Sequence, residues 1–216
     1  MSFSIFFAFE LAYLIGAIPF SVVIGKLIYG KDVRKFGSGN AGATNTFRVL
    51  GKRAGSVVLL LDIAKGMFAV SLSYSFGNIS MTDEKFILYQ LALGVTAALG
   101  HIYPIYLWFK GGKGVATLFG VVIAVFPVTA LVCMAVFFTM FFFSRYVSLS
   151  SIAASIAFAI RVIFVLDYYS IAINIFSLLL PVLIIYTHRE NIKRLLKGTE
   201  NRFIFKKKEE SDGSKQ

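Results

Sequence analysis

Five apolar runs of roughly 20 residues, each almost free of charge, limit what this chain can become more than any other feature. They lie at about Ser4 to Tyr29, Ala54 to Phe76, Phe86 to Phe109, Tyr146 to Leu166 and Tyr169 to Thr187. A helix of that length crosses a hydrocarbon core about 30 Å thick, and it satisfies its own backbone polar groups there. With 15% charged residues, 57% hydrophobic residues and a mean hydropathy of +0.77, the chain lacks the polar surface of a water-soluble domain. The expectation is an all-α, polytopic integral membrane protein, with a single transmembrane domain over residues 1–205 and no soluble domain beside it.

The stretch between Lys113 and Arg145 is harder to place. As straight helix its 31 residues would measure about 46 Å, too long for one comfortable crossing and short for two. Pro127 sits near its middle and cannot donate a helical hydrogen bond, so two short helices meeting there are expected. Charge supports this choice. If the chain turns back at Pro127, 19 of the 22 Lys and Arg residues fall on one face, and a single crossing would split the two most basic segments. A compact bundle of seven transmembrane helices follows, with the N-terminus outside and the C-terminus cytoplasmic.

The N-terminus lacks a basic region ahead of its apolar run, so it reads as the first helix and not a cleaved signal. The net charge of +11 describes a basic membrane face facing lipid head groups, not a nucleic-acid surface. The last residues, KKKEESDGSKQ at 206–216, have no apolar periodicity and read as a disordered tail. Cys133 stands among aliphatic residues and behaves as a small hydrophobe. No His, Asp, Glu or Cys cluster has metal-ligand spacing, so neither metal nor cofactor is expected. Asp83, Glu84 and Lys85 read as an outer tether.

The polar segments gather on the cytoplasmic side. KDVRKFGSGNAGATNTFRVLGKRAG, residues 31–55, holds five glycines and six Lys or Arg residues. Successive Gly, Ser and Asn let backbone amides converge on an anion, and Arg48 can add a planar fork for phosphate. Gly37, Gly39 and Gly42 satisfy a dinucleotide spacing, but no strand precedes them, so that meaning is discarded. WFKGGKGVAT brings Lys110 and Lys113 with glycine amides to a helix start, a second anion site that does not fit an ATP loop. SRYVSLSS puts Arg145 and Ser148 at another helix start, where Ser148 alone would be a plain cap. THRENIKRLLKGTENR continues the last helix out of the membrane, with His188, Asn191 and Leu195 on one face. Inside the bundle, Asp62 and Lys65 can pair, serving either the site or packing. Glu10 and Arg161 lie toward outer span ends, and His101 and Pro104 sit within the third helix in a structural role. Four such segments on one face suggest a site for an anionic substrate beside a hydrophobic one.

In order and spacing, IPFSVVIGK with GSGNAGATNTFRVLGK and LDIAKG, then GHIYPIYLWFKGGKGVAT, RYVSLSS and HRENIKRLLKGTENR resemble the bacterial acyl-phosphate:glycerol-3-phosphate acyltransferases, the PlsY family. The matching stretches cover close to a third of the chain. The resemblance implies a multi-pass protein of the bacterial cytoplasmic (inner) membrane with its active site at the cytoplasmic face. It would move a fatty acyl group from acyl phosphate to the 1-hydroxyl of sn-glycerol 3-phosphate, giving lysophosphatidic acid and phosphate without acyl-CoA. It implies a phosphate nest at Ser38, Gly39 and Asn40, completed by Thr44 and Arg48. Lys110, Ser148, His188 and Asn191 would line the reacting centre, and Lys113 and Arg145 would steer anions. Gly198 and Glu200 match the family's tail without a role attached to them. The implied partners are the two substrates, membrane lipids and the enzyme that makes acyl phosphate.

The residues agree with a donor that is already activated. No GxSxG motif is present, and neither His101 nor His188 is followed five residues on by Asp. Holding two anions together and orienting the hydroxyl is then most of the task, with His188 or a substrate phosphate oxygen taking the proton. The rival from another class is an anion or phosphate transporter, which would need polar residues through both membrane halves and an internal repeat. The outer half is nearly all aliphatic or aromatic, and no repeat is evident.

Overall fold

A computed structural model describes residues 3–76, 82–166 and 170–203, and among these the regular structure is entirely helical. The expected tail at 206–216 lies outside the described residues, as does Tyr169. Ten α-helices run as α1 Phe3–Ala17, α2 Phe20–Tyr29, α3 Ala43–Leu50, α4 Lys52–Phe76, α5 Asp83–Ile102, α6 Val115–Val125, α7 Pro127–Ser144, α8 Val147–Phe164, α9 Ile171–Thr187 and α10 Arg189–Leu196.

Proline and its missing N–H explain most departures from the expected spans. The first helix is broken at Ile18 and Pro19 and bends by 42° because Pro19 cannot donate back along the helix. The third stops at Ile102, since Pro104 disfavours helical backbone in the residue before it, and a 3-10 turn at Ile105–Leu107 follows. Pro104 is therefore outside the helix that holds His101. At the other end, Asp83, Glu84 and Lys85 form the first turn of α5 and not a tether, with Thr82 as its cap. Acidic side chains suit the positive end of a helix. The last helix does not run straight out of the membrane: it turns by 64° between α9 and α10, at His188.

Among the described residues, four helices are individually long and apolar enough to cross a membrane: α4, α5 with its following turn, α7 and α8. The α1–α2 and α9–α10 pairs qualify only as bent units, and α6 has 11 residues. Length alone thus gives four to six crossings. The separation of α6 from α7 at Pro127 agrees with the sequence expectation, Pro127 taking the first position of α7 where its absent N–H costs nothing. Large apolar side chains cover the outside, among them Leu131, Phe138, Leu178 and Val182. Such a surface is suited to lipid.

α4 sits at the centre, packed on α1, α3, α5 and α6. Its approach to α6 is closest where glycines face backbone. A Cβ on Gly66 would lie 1.9 Å from the Thr117 carbonyl oxygen, and one on Gly120 would lie 2.0 Å from that of Ile63. Small residues let membrane helices pack backbone to backbone. Gly66→Ala is expected to push the two helices apart and cost about 1–3 kcal/mol, read as a lower Tm of the detergent-purified protein.

Candidate functional site

The 31–55 segment is folded, not loose. Asp32 caps a turn at Val33–Lys35 and pairs with Arg34 at 2.7 Å, which together hold its carboxyl at about 2, below the usual range. The chain then rises through Gly37 and Gly39, both at positive φ, a backbone state that glycine enters without strain. Asn45, fully buried on α3, fixes this stretch. Its Oδ1 accepts from the Ser38 amide at 2.8 Å and the Ser38 hydroxyl at 3.1 Å, and its Nδ2 donates to the Val33 and Phe36 carbonyls. A Cβ on Gly37 would meet Asn45 Oδ1 at 2.4 Å. Ser38 and Gly39 stand exposed, with Asn40 and Thr44 half-buried at the start of α3. The first amides of a helix have no intrahelical partner and are suited to an anion. Thr44 and Arg48, four residues apart, share one face of α3.

Asn45 was not among the expected site residues. Its signal was present, since an amide near glycines and a serine is the side chain best able to replace backbone partners. α3 itself was missed because the glycines around it obscured eight residues of amphipathic helix.

A second cluster is organised by Glu200, 8% exposed. Its Oε1 accepts from Ser148 Oγ at 2.9 Å and Asn191 Nδ2 at 2.5 Å, and its Oε2 from Arg194 Nε at 2.7 Å. Burial works to raise this carboxyl, but the three donors outweigh it and hold it below the ordinary carboxylate range. Lys113 donates to Asn191 Oδ1, which extends the chain of contacts to the glycine loop. Arg48 donates to the Asn201 carbonyl at 3.3 Å, and Phe47 packs edge-on against Phe203. α3 is thus joined to the segment after α10. Ser148, Asn191, Lys113 and Arg48 are therefore gathered around a carboxylate for which the sequence suggested no role.

His188 lies beside them at the α9–α10 bend, 2% exposed. Its Nδ1 is 2.8 Å from the Ile184 carbonyl oxygen, which can only accept, so the neutral ring carries its proton on Nδ1 and leaves Nε2 with a lone pair. Burial and the nearby Lys113 charge push this imidazole down to about 4. It is unprotonated at neutral pH.

Lys110 and Arg145 are not drawn into this network. Both are exposed. Arg145 closes α7 in a left-handed conformation, its guanidinium 5.8 Å from the Phe142 ring, and its carbonyl accepts from the Phe203 amide at 2.9 Å. Among the described residues no three His, Cys, Asp or Glu side chains gather as metal ligands would.

Burial lowers Lys113 to about 8. Because only the ammonium attracts an anion, binding of sulfate, whose charge is constant here, should weaken as pH rises through about 8. Lys113→Arg stays charged and should remove that dependence in calorimetric titration. Stability should move the other way between pH 8 and 10.5, where the unfolded chain binds the additional proton.

The chain also matches known proteins along most of its length. A family model described as glycerol-3-phosphate acyltransferase matches residues 6–198. A glycerol-3-phosphate acyltransferase of Macrococcus caseolyticus is 49% identical over 197 residues, covering 91% of this chain and 96% of the relative. One from Chlorobaculum tepidum is 43% identical over 221 residues, covering 91% and 95%. Among solved structures, the glycerol 3-phosphate form of PlsY (YgiH), an integral membrane glycerol 3-phosphate acyltransferase, superposes with a TM-score of 0.82 at 44% identity over 93% of this chain and 96% of that one. The lysophosphatidic acid form gives 0.80 at 43%, over 94% and 96%.

Proposed function

The chain belongs to the glycerol-3-phosphate acyltransferase family of multi-pass membrane enzymes, and on that premise we propose that it transfers a fatty acyl group from acyl phosphate to the 1-hydroxyl of sn-glycerol 3-phosphate. The products are lysophosphatidic acid and inorganic phosphate. The observation that carries this reading is the convergence of Lys113, Arg48, Ser148, Asn191 and His188 around Glu200, with Arg48 on the helix that follows the exposed Ser38 and Gly39. Cations and backbone donors meet there with one unprotonated base and no thiol or activated serine. Such a site suits a mixed anhydride, which needs orientation and charge neutralisation more than a covalent nucleophile.

In the proposed step the glycerol hydroxyl oxygen bonds to the acyl carbonyl carbon, and the bond from that carbon to the phosphate oxygen breaks. The hydroxyl proton passes to His188 Nε2 or to a substrate phosphate oxygen, and the leaving phosphate keeps the electron pair. Ser38, Gly39 and Asn40 cradle one phosphate with Thr44 and Arg48. Lys113, Ser148 and Asn191 face the reacting centre. Lys110 is assigned to the reacting centre with them and Arg145 to attracting the anions, both from exposed positions.

The same reading sets the chain in the bacterial inner membrane as one domain over residues 1–205 with a tail at 206–216, crossing seven times with the N-terminus outside and the site cytoplasmic. Two relations support the count. Before α6 the Lys113 side chain meets Asn191, and after α7 the Arg145 backbone carbonyl meets the Phe203 amide, so the chain leaves that face and returns. At the opposite end, Glu84 accepts from Ser170 at 2.5 Å between the starts of α5 and α9. An enzyme that makes acyl phosphate is the natural neighbour, since the donor is both lipid-like and easily hydrolysed.

The test supplies detergent-purified protein with palmitoyl phosphate or palmitoyl-CoA, with and without sn-glycerol 3-phosphate. Phosphate release that requires glycerol 3-phosphate and yields lysophosphatidic acid is expected, with no product from the CoA ester. Equal turnover from the CoA ester would overturn the donor assignment. A folded protein inactive with both would overturn the reaction.

A further inference from the structure

Asp62 and Lys65 are the most enclosed charged side chains described, 3% and 2% exposed, and they pair at 2.8 Å one turn apart on α4. Lys65 also donates to the Ile18 carbonyl, at the break that Pro19 makes between α1 and α2. Burying an ion pair is rarely justified by stability alone, so the groups around it matter. On α5, His101 Nδ1 lies 3.6 Å from Asp62 Oδ1. The other edge of the imidazole faces the glycine loop, where a Cβ built on Gly112 would sit only 2.1 Å from His101 Nε2. The loop folds back onto the end of α5 through two backbone bonds, Gly112 N–H to the His101 carbonyl at 3.0 Å and Gly111 N–H to that of Ile102 at 3.1 Å. The next residue is Lys113, whose ammonium reaches Asn191. A small cavity bordered by Asp62, Lys65, His101, Gly111, Gly112 and Ala41 joins this cluster to both anion-holding segments.

We propose that His101, oriented by the buried Asp62–Lys65 pair, is a positioning residue that seats Gly112 and so fixes where Lys113 presents its charge to the substrate phosphates. His101 touches no substrate. It acts through the glycine loop, and the ring's bulk is what the loop rests on. The inference depends on the acyltransfer reading for its kinetic test and on the anion site alone for its second test.

A packing role and a positioning role differ in what they move. Loss of packing lowers Tm and the active fraction, hence apparent kcat, and leaves KM alone. A displaced Lys113 raises KM for glycerol 3-phosphate, acyl phosphate or both, by about tenfold or more, while kcat changes little. His101→Ala and Gly112→Ala should each behave in this second way. Their combination should not multiply the losses, because the alanine methyl at 112 occupies space the imidazole has left. KM of the double variant is expected below that of Gly112→Ala. His101→Asn, which keeps a nitrogen toward Asp62, should fall between wild type and His101→Ala.

The second test needs no turnover. Added glycerol 3-phosphate should raise the Tm of wild type, fail to do so for Gly112→Ala, and do so again for the double variant. Multiplying losses in the double variant, or a lowered Tm with unchanged KM in His101→Ala, would overturn the proposal. A wild type that shows the Tm shift and no acyl transfer would sink the proposed reaction and leave this inference to the binding measurement.

Discussion

Glu200→Ala is expected to reduce acyl transfer by about a hundredfold or more and to lower the Tm of the purified protein clearly. The carboxylate accepts from three side chains carried by α8 and α10, and its removal leaves Ser148, Asn191 and Arg194 without that acceptor. Around it stand Arg48, Lys113 and Arg194, so the same substitution removes the negative charge that lets these cations approach one another. Deleting one member of a buried pair costs about 3–5 kcal/mol, a figure reduced here because the Arg194 side chain is 38% exposed. Glu200→Gln separates the two effects. The amide keeps an acceptor oxygen for Ser148 or Asn191 and loses the charge, so its fold should survive with much of the activity gone. The sign with pH follows from the depressed carboxyl: its stabilisation is present above the usual glutamate value of 4.5 and disappears as pH falls through the lower folded value. Wild-type activity in Glu200→Ala would mean that the cluster holds nothing the reaction uses.

The membrane class, the approximate positions of the apolar helices and the break at Pro127 were legible in the sequence because each rests on a local property, apolar length or a missing N–H. Motif order also put Ser148, Asn191, Arg48 and Lys113 on one face, and the fold brings these side chains near one another. Two kinds of feature were not legible in the sequence. The bends at Ile18–Pro19 and at His188 are held by side chains on backbone carbonyls, Lys65 from α4 on that of Ile18 and the imidazole on that of Ile184, which also keeps its bond from the His188 amide. The role of Glu200 was invisible for a related reason. A glutamate in a basic, polar stretch has the composition of a solvated tail, and only the return of the segment after α10 to the start of α8 buries it beside Ser148. Asn45 lay in plain view between glycines, yet its four hydrogen bonds belong to a loop conformation that spacing alone does not specify.

His188→Ala should lower turnover by a factor of about 10² to 10⁴, the range usual for a positioned general base, with KM for both substrates nearly unchanged. The geometry sets up the base by elimination at the ring: Nδ1 is committed to the Ile184 carbonyl at 2.8 Å, so any proton taken from the substrate goes to Nε2. An imidazole held at about 4 by burial and by Lys113 is available at neutral pH but weakly basic. Two bound phosphates would change that. Their charge opposes that of Lys113, so the ring becomes more basic when the substrates arrive, which is when a proton must be moved. The competing assignment gives the proton to a substrate phosphate oxygen, and it requires His188 only as packing. Under it His188→Ala turns over at close to the wild-type rate per folded molecule, with the loss confined to Tm. Added imidazole distinguishes the cases further, since a small free base that enters the vacated space restores turnover only where the missing group was the proton acceptor.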